Sequence, residues 1–357
     1  MNHHTRLSSA RTRTNASAVA GAIALSLAAL SSNAQAQVTL YGTIDLAVGR
    51  ISTQPPGAPN APIITVNGVH SGGLQTSYFG MRGTEDLGSG LTAKFQLEGF
   101  FRADTGAVGR FDASPGGGAD HFWSRETFVG LSGGFGEVRL GNNAHPTWVS
   151  MLMTSSMGGN SVFSPSFRQL FNGGARGLSE SDTAMVNSVR YMSPNFGGLD
   201  GTVVVQAAEG TGSASYSGNL VYRAGPLLAS AAHSRIRNAA SPNLPGLRDQ
   251  TITLVGAAYS IDPVRVFAQY TDVKNARTKR NDKLAHVGVA AKLGSGELQV
   301  SYGEDKYSGS AVGKRKTTSG GYVYNLSKRT DLYTFAMSDK VSSGDAKSFV
   351  VGVRHRF

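Results

Sequence analysis

Leu91-Thr92-Ala93-Lys94-Phe95-Gln96-Leu97-Glu98 places Leu, Ala, Phe and Leu on one parity and Thr, Lys, Gln and Glu on the other. Side chains alternate across an extended chain, so this stretch is a β-strand with one dry face and one wet face. The same alternation recurs along the chain. Val38, Leu40, Ile44, Leu46 and Val48 oppose Thr39, Tyr41, Thr43 and Asp45, and Leu298, Val300 and Tyr302 oppose Glu297, Gln299 and Ser301. Near the C-terminus Phe349, Val351 and Val353 oppose Ser348, Arg354 and Arg356.

The connections alternate too. Short turns rich in Gly, Asp, Asn or Pro fall near 85–90, 133–136, 195–199, 225–226, 261–263, 294–296 and 328–330. Long polar connections fall near 50–74, 102–121, 144–186, 209–214, 237–249, 273–282, 306–316 and 340–346. Seven short and eight long connections separate sixteen strands, an even number that puts both termini on the short-turn side. The stretch 200–236 is the least clear of these.

Physics then selects closure. In lipid every backbone N–H and C=O must be paired, so a spanning sheet can have no free edge. Sixteen strands enclose an aqueous lumen instead of a packed core, with the apolar face toward lipid. Tyr322, Tyr324, Tyr333, Phe335 and Phe357, near strand ends, are candidates for the interfacial aromatic girdles. A soluble exported β-sandwich or lectin would also alternate, but would need neither the short–long rhythm nor a terminal aromatic.

Residues 1–36 carry Arg6, Arg11 and Arg13 and no acid, an apolar stretch from Ala16 to Leu30, and Ala34-Gln35-Ala36 at the end. This is the layout of a secretory signal peptide; the apolar segment is shorter than the roughly 20 residues of a spanning helix. Cleavage after Ala36 leaves residues 37–357 as the barrel. Beyond it there is no run of 18 apolar residues.

Composition excludes several functions. No cysteine is present, so there is neither a disulfide framework nor a thiolate site. The formal charge is +11, and removing the three signal arginines leaves +8. Lys and Arg are spread singly and not clustered, which argues against nucleic-acid binding. The 46 glycines follow no collagen-like period; they sit at turns and inside strand-like segments. His70, His121, His145, His233, His286 and His355 are dispersed, with no H-E-x-x-H or G-x-S-x-G motif, and no D-x-D-x-D-G calcium loop occurs. Neither an enzyme, a metal site nor a cofactor is expected.

Several segments carry a family resemblance: Val38-Thr39-Leu40-Tyr41-Gly42-Thr43-Ile44-Asp45, Gly80-Met81-Arg82-Gly83-Thr84-Glu85-Asp86-Leu87-Gly88, Phe128-Val129-Gly130-Leu131, Asn187-Ser188-Val189-Arg190-Tyr191, Tyr324-Asn325-Leu326-Ser327-Lys328-Arg329-Thr330 and Gly352-Val353-Arg354-His355-Arg356-Phe357. In this order the chain resembles the general porins of β-proteobacteria (the Burkholderia, Bordetella and Neisseria type) over essentially all of 37–357. The resemblance implies an outer-membrane homotrimer, in contact with lipid and lipopolysaccharide, that passes small hydrophilic solutes. It also implies a third loop, here 144–186, folded inward to narrow the pore. Phe357, with Val353, Val351 and Phe349, looks like the signal read by the barrel-assembly machinery.

Selectivity in such a pore comes from charged side chains at the constriction. By the resemblance Arg125 and Arg190 match wall arginines; Lys94 and Arg139 follow from strand parity. Two positions depart from the family: Tyr78, in Ser77-Tyr78-Phe79-Gly80, and Asn142, in Gly141-Asn142-Asn143, stand where an arginine is usual. From Ala144 to Val186 only Glu180 and Asp182 are acidic, against Arg168 and Arg176. The loop is instead apolar, with Trp148, Met151, Leu152, Met153, Phe163, Phe167, Leu170 and Phe171; these either pack it against the wall or line the passage for amphiphilic solutes. The expectation is a weakly anion-preferring channel. A surface adhesin or receptor barrel acting through its long loops is the alternative.

Overall fold

A computed structural model describes residues 37–54, 62–110, 120–171, 182–208, 213–238 and 247–357. The proposed leader 1–36 and the loop acid Glu180 lie outside them. The strands are β1 (Gln37–Thr53), β2 (Ile64–Ser71), β3 (Tyr78–Gly88), β4 (Leu91–Phe100), β5 (Thr127–Gly133) and β6 (Gly136–Ala144). Then come β7 (Ala184–Met192), β8 (Leu199–Gln206), β9 (Ser215–Ala224), β10 (Leu227–Asn238), β11 (Leu247–Ile261) and β12 (Val264–Asn275). The last five are β13 (Arg280–Leu293), β14 (Gly296–Gly309), β15 (Gly313–Asn325), β16 (Thr330–Val341) and β17 (Gly344–Arg356). Two helices, α1 (Pro146–Met153) and α2 (Pro165–Leu170), lie between β6 and β7.

Each strand from β3 to β17 pairs antiparallel with the next, and β17 returns to β1, with Thr43 opposite Arg356 and Arg50 opposite Phe349. The other edge of β1 is shared: Leu46–Thr53 pair with β2 and Gln37–Thr43 with β3. β2 and β3 are therefore two halves of one interrupted strand, and the sheet is a closed antiparallel barrel of sixteen strands. Closure satisfies every edge, as lipid requires.

The interruption at 72–77 has a local cause. Gly72 takes φ +79°, a left-handed conformation that favours glycine, and the chain leaves the ladder. The backbone N–H groups of Leu74 and Gln75 then donate to the Asp45 carboxylate at 3.2 and 2.7 Å, and Tyr333 Oη donates to the same carboxylate. Asp45, fully buried on β1, thus replaces the sheet partners that the break removes.

Burial follows the parity read from the sequence. Val287, Val289, Leu298, Val300, Phe349, Val351 and Val353 are exposed on the outer face, while Thr43, Asp45, Ser301 and Ser348 are buried on the inner one. Two of the expected girdle aromatics fall elsewhere: Tyr333 and Phe335 take the inner parity and are buried. Glycines make their sockets. A Cβ on Gly352 would lie 2.3 Å from the Tyr333 ring, and one on Gly321 2.2 Å from that of Phe335.

Three connections expected to be long are short. β12 runs on to Asn275 before β13 starts at Arg280, β14 reaches Gly309 before Gly313, and β16 reaches Val341 before Gly344. The 14 residues of β14 exceed the roughly 9–11 that cross a bilayer. Above the lipid both faces meet water, so alternation fades there and the strand ends look like loop.

The apolar core is not between sheets. Met151, Phe167, Leu170 and Phe171 pack on Ala232, Ile236, Ile252, Leu254, Val273 and Leu284 of β10–β13. Phe163 and Met157 pack on Val323, Tyr333, Phe335, Met337 and Val350 of β15–β17.

Candidate functional site: the charged wall and the 144–186 connection

Strand register assembles a basic row. Lys94 on β4 lies opposite Gly130, Gly130 opposite Arg139, and Arg139 opposite Arg190. Gly130 brings no side chain, and a Cβ there would sit 3.1 Å from Cγ of Arg139. Like charges directly opposite each other destabilise a sheet, and carboxylates interleave to offset this. Lys94 Nζ lies 2.9 Å from Glu137, which Arg139 also contacts, and Glu126 lies 3.9 Å from Arg139 and 3.7 Å from Arg190. Arg125 pairs with Glu98, which also accepts from Tyr41 Oη at 2.6 Å.

Two guanidiniums are further fixed by aromatic faces: Arg125 lies 4.1 Å over the Tyr78 ring and Arg139 4.0 Å over that of Phe128. Tyr78, which replaces an expected arginine, therefore braces another one. Asn142, at the second such position, donates to the Arg125 carbonyl at 3.2 Å and so fixes its backbone. The structure brings Lys94, Arg125, Arg139, Arg190, Tyr78 and Asn142 into one wall patch. Its four cations face the three carboxylates of Glu98, Glu126 and Glu137.

Those acids are the residues sequence reasoning passed over. Glu98 stood on the wet parity of β4 and Glu126 beside Arg125, so the signal was present. The loop is poor in acid, but the wall supplies carboxylates of its own.

The loop residues are placed differently. Arg168 is not a lining cation: its side chain is 2% exposed, with Nε 2.8 Å from Asp339 and Nη2 donating to the Ser52 carbonyl at 2.9 Å. Asp182 is held by Arg110, whose Nη1 donates to it at 2.8 Å, and Arg110 also binds Asp120 at 2.9 Å. Burial acts to raise the Asp182 pKa, but Arg110 and the Thr183 N–H hold it below the usual carboxylate range. Arg110, from the 102–121 connection, thus ties that loop to the end of 144–186.

The 145–171 segment reaches far across the sheet. Thr147 Oγ1 meets Ser234 Oγ at 2.5 Å, Ser150 Oγ accepts from Asn219 at 3.0 Å, and Gln269 donates to the Met151 carbonyl at 2.8 Å. Farther on, Ser156 donates to the Val300 carbonyl at 2.9 Å, Gln169 donates to Thr317 at 3.0 Å, and Ser161 donates to the Gly72 carbonyl at 2.9 Å. Most of its apolar side chains pack on the strands; Trp148 and Leu152 are only partly buried. These two, with Met157 and Val162, line a cavity of about 610 Å³ that Arg125, Glu126, Arg110 and Arg354 line as well.

A closed sheet with a lipid-compatible outside and a charged, water-compatible inside defines a channel-forming barrel of the outer membrane, open to small hydrophilic solutes. The family model described as "Gram-negative porin" matches residues 18–344. The chain belongs to the Gram-negative porin family. It is 32% identical to the outer membrane porin protein 32 of Delftia acidovorans, over 91% of this chain and 95% of that one. It is 29% identical to a major outer membrane protein P.IB of Neisseria meningitidis, over 92% and 97% respectively. Among solved structures, the anion-selective porin from Comamonas acidovorans is similar, with a TM-score of 0.71 at 27% identity, covering 90% of this chain and 100% of that one.

Proposed function

We propose that the 144–186 connection lies in the lumen as the constriction of a diffusion channel, and that passage there prefers small anions weakly. The observation that carries this reading is the pairing pattern of the wall: Lys94, Arg125, Arg139 and Arg190 against Glu98, Glu126 and Glu137. The surplus is positive but small. The similarity to a porin described as anion-selective favours the same sign. The contacts of α1 with β9–β11 and of α2 with β13–β15 support the inward course of the connection. Reversal potentials of purified protein in planar bilayers, under a salt gradient, test it; a clear cation preference overturns it.

The chain works as a homotrimer in this reading, with residues 1–36 removed on export. Phe357 serves as the signal to the barrel-assembly machinery; the pairing of its backbone N–H with the Gly42 carbonyl, at 3.1 Å, favours a role in closure. Mass spectrometry of the mature protein checks the cleavage, and heat-modifiable migration in detergent checks the trimer.

A further inference from the structure

Seven positions of inner parity on consecutive strands form one level of the wall. Ser230 lies opposite Gly256, Gly256 opposite Gln269, Gln269 opposite His286 and His286 opposite Gly303. The row continues with Thr317 on β15 and reaches Asp339 on β16. Its five side chains all hold the 145–171 segment. Ser230 donates to Ser150 Oγ at 2.8 Å, Gln269 donates to the Met151 carbonyl at 2.8 Å, and His286 Nε2 pairs with Gln169 Oε1 at 2.9 Å. Thr317 accepts from Gln169 at 3.0 Å, and Asp339 takes Arg168 at 2.8 Å.

The other two positions of the row are glycine, and Gly288, two residues beyond His286 on β13, is a third on the same face. Glycine weakens a strand interior, where it has no side chain to pack. None of the three has a positive φ, so the backbone does not call for it. The loop does. A Cβ on Gly256 would lie 2.5 Å from Thr154 Oγ1 and 2.8 Å from Thr154 Cβ. One on Gly288 would overlap Ser156 Oγ and lie 2.8 Å from Ser156 Cβ, and one on Gly303 would lie 2.9 Å from Pro165 Cβ. Thr154 and Ser156 lead from the end of α1 into the turn that carries Met157, Asn160, Ser161 and Val162. These four residues line the cavity of about 610 Å³.

We propose that Gly256 and Gly288 set the width of the passage: with no side chain there, the turn after α1 lies flush against the wall. The inference rests on the reading of the 144–186 connection as the constriction. Non-bonded carbon atoms settle about 3.5–4.0 Å apart, so an alanine at either position requires the turn to move inward by roughly 1 Å. Thr154 and Ser156 have short side chains that cannot fold out of the way, and the shift passes to the loop backbone. Met151 before the turn and Gln169 after it stay fastened to Gln269, His286 and Thr317. The segment therefore bulges into the lumen instead of detaching. Selectivity by charge is untouched, because no charge changes; selectivity by size is altered.

The experiment compares single-channel conductance of the purified parent with Gly256→Ala, Gly288→Ala and the rescue pairs G256A/T154G and G288A/S156G. Each alanine is expected to lower conductance roughly 1.5-fold, and each loop glycine to restore it by removing the atoms that collide. In liposome swelling the size cutoff for neutral sugars should fall in the single variants and return in the pairs. Gly320→Ala on β15, where a Cβ would lie 3.7 Å from its nearest neighbour, is expected to match the parent. Conductance at or above the parent's in the single variants overturns the proposal. So does an equal fall in Gly320→Ala, or a fall that the loop glycines do not reverse. A single variant that opens no channel supports the seat if its rescue pair opens one, and refutes it if the pair does not. W148A/L152A separates the two readings, because trimming side chains that line the cavity should raise conductance if the loop is the constriction. No rise there removes the constriction reading; a rise alongside silent glycine variants removes this inference alone.

Discussion

The Arg168 guanidinium on α2 is buried against the Asp339 carboxylate on β16, with Nε 2.8 Å from Oδ2. Asp339 simultaneously receives Arg315, at 2.6 Å, and Thr317 Oγ1, at 2.9 Å. One wall carboxylate therefore serves a loop cation and a wall cation, and fastens α2 to the sheet.

The two partners are not equivalent when removed. Arg168→Leu leaves Asp339 still neutralised by Arg315. Asp339→Asn leaves two guanidiniums facing each other in a buried site, at a cost of about 3–5 kcal/mol. Single-channel recordings are expected to show a noisier and larger conductance for D339N than for R168L. The reverse order would mean that Asp339 does not fasten the loop.

Removing a wall carboxylate should shift the permeability ratio toward anions. Glu126 lies 3.9 Å from Arg139 and 3.7 Å from Arg190, so Glu126→Gln unmasks both. A unit charge about 8 Å from a passing ion is worth roughly 0.5 kcal/mol in water, about twofold in permeability ratio. Reversal potentials in a salt gradient should move by that amount toward anions; Arg190→Gln should move them the opposite way.

Asp45→Ala removes the acceptor for the Leu74 and Gln75 backbone N–H groups and for Tyr333 Oη. Stranding buried donors costs about 1–3 kcal/mol each. Heat-modifiable gel migration should show the barrel unfolding at a markedly lower temperature. Asp45→Asn, which keeps one acceptor oxygen, should be milder.

At the seam, a Cβ on Gly42 would lie 2.6 Å from the Phe357 ring and 2.6 Å from the Tyr78 carbonyl. Gly42→Val is therefore expected to displace Phe357 and to lower the yield of folded barrel several-fold in refolding assays, whereas Gly68→Val, with open space around it, should not. Equal yields from the two variants would remove Phe357 packing as a requirement for closure.

His145 precedes α1 and is fully buried, with Phe171 edge-on at 5.6 Å. Burial pushes its imidazole pKa down to about 3, with Asp182 acting weakly in the opposite direction. A folded value below the ordinary 6.5 means that protonation favours the unfolded loop. Stability is full above about pH 6.5 and is lost as pH falls toward 3, by about 3 kcal/mol at pH 4. Amide exchange in the 145–171 segment should accelerate between pH 7 and 4, after correction for intrinsic rates. His145→Leu, which cannot titrate, should lose that acceleration.

The sequence by itself determined the period of two, the strand count and the short-turn side. Those depend on local alternation and on glycine-rich turns, and lipid leaves a closed sheet as the one way to pair its backbone. Strand parity also placed Lys94 and Arg139 on the wet side of β4 and β6, while Arg125 and Arg190 were marked by the family resemblance. Tertiary structure decided which charges meet. Glu126 serves Arg139 and Arg190, and Asp339 serves Arg168, because register and loop path bring together residues 13 to 171 positions apart. No periodicity encodes such pairs. It also moved Tyr333 and Phe335 inward and extended β12–β16 beyond the lipid, where both faces meet water and alternation ceases to report a strand.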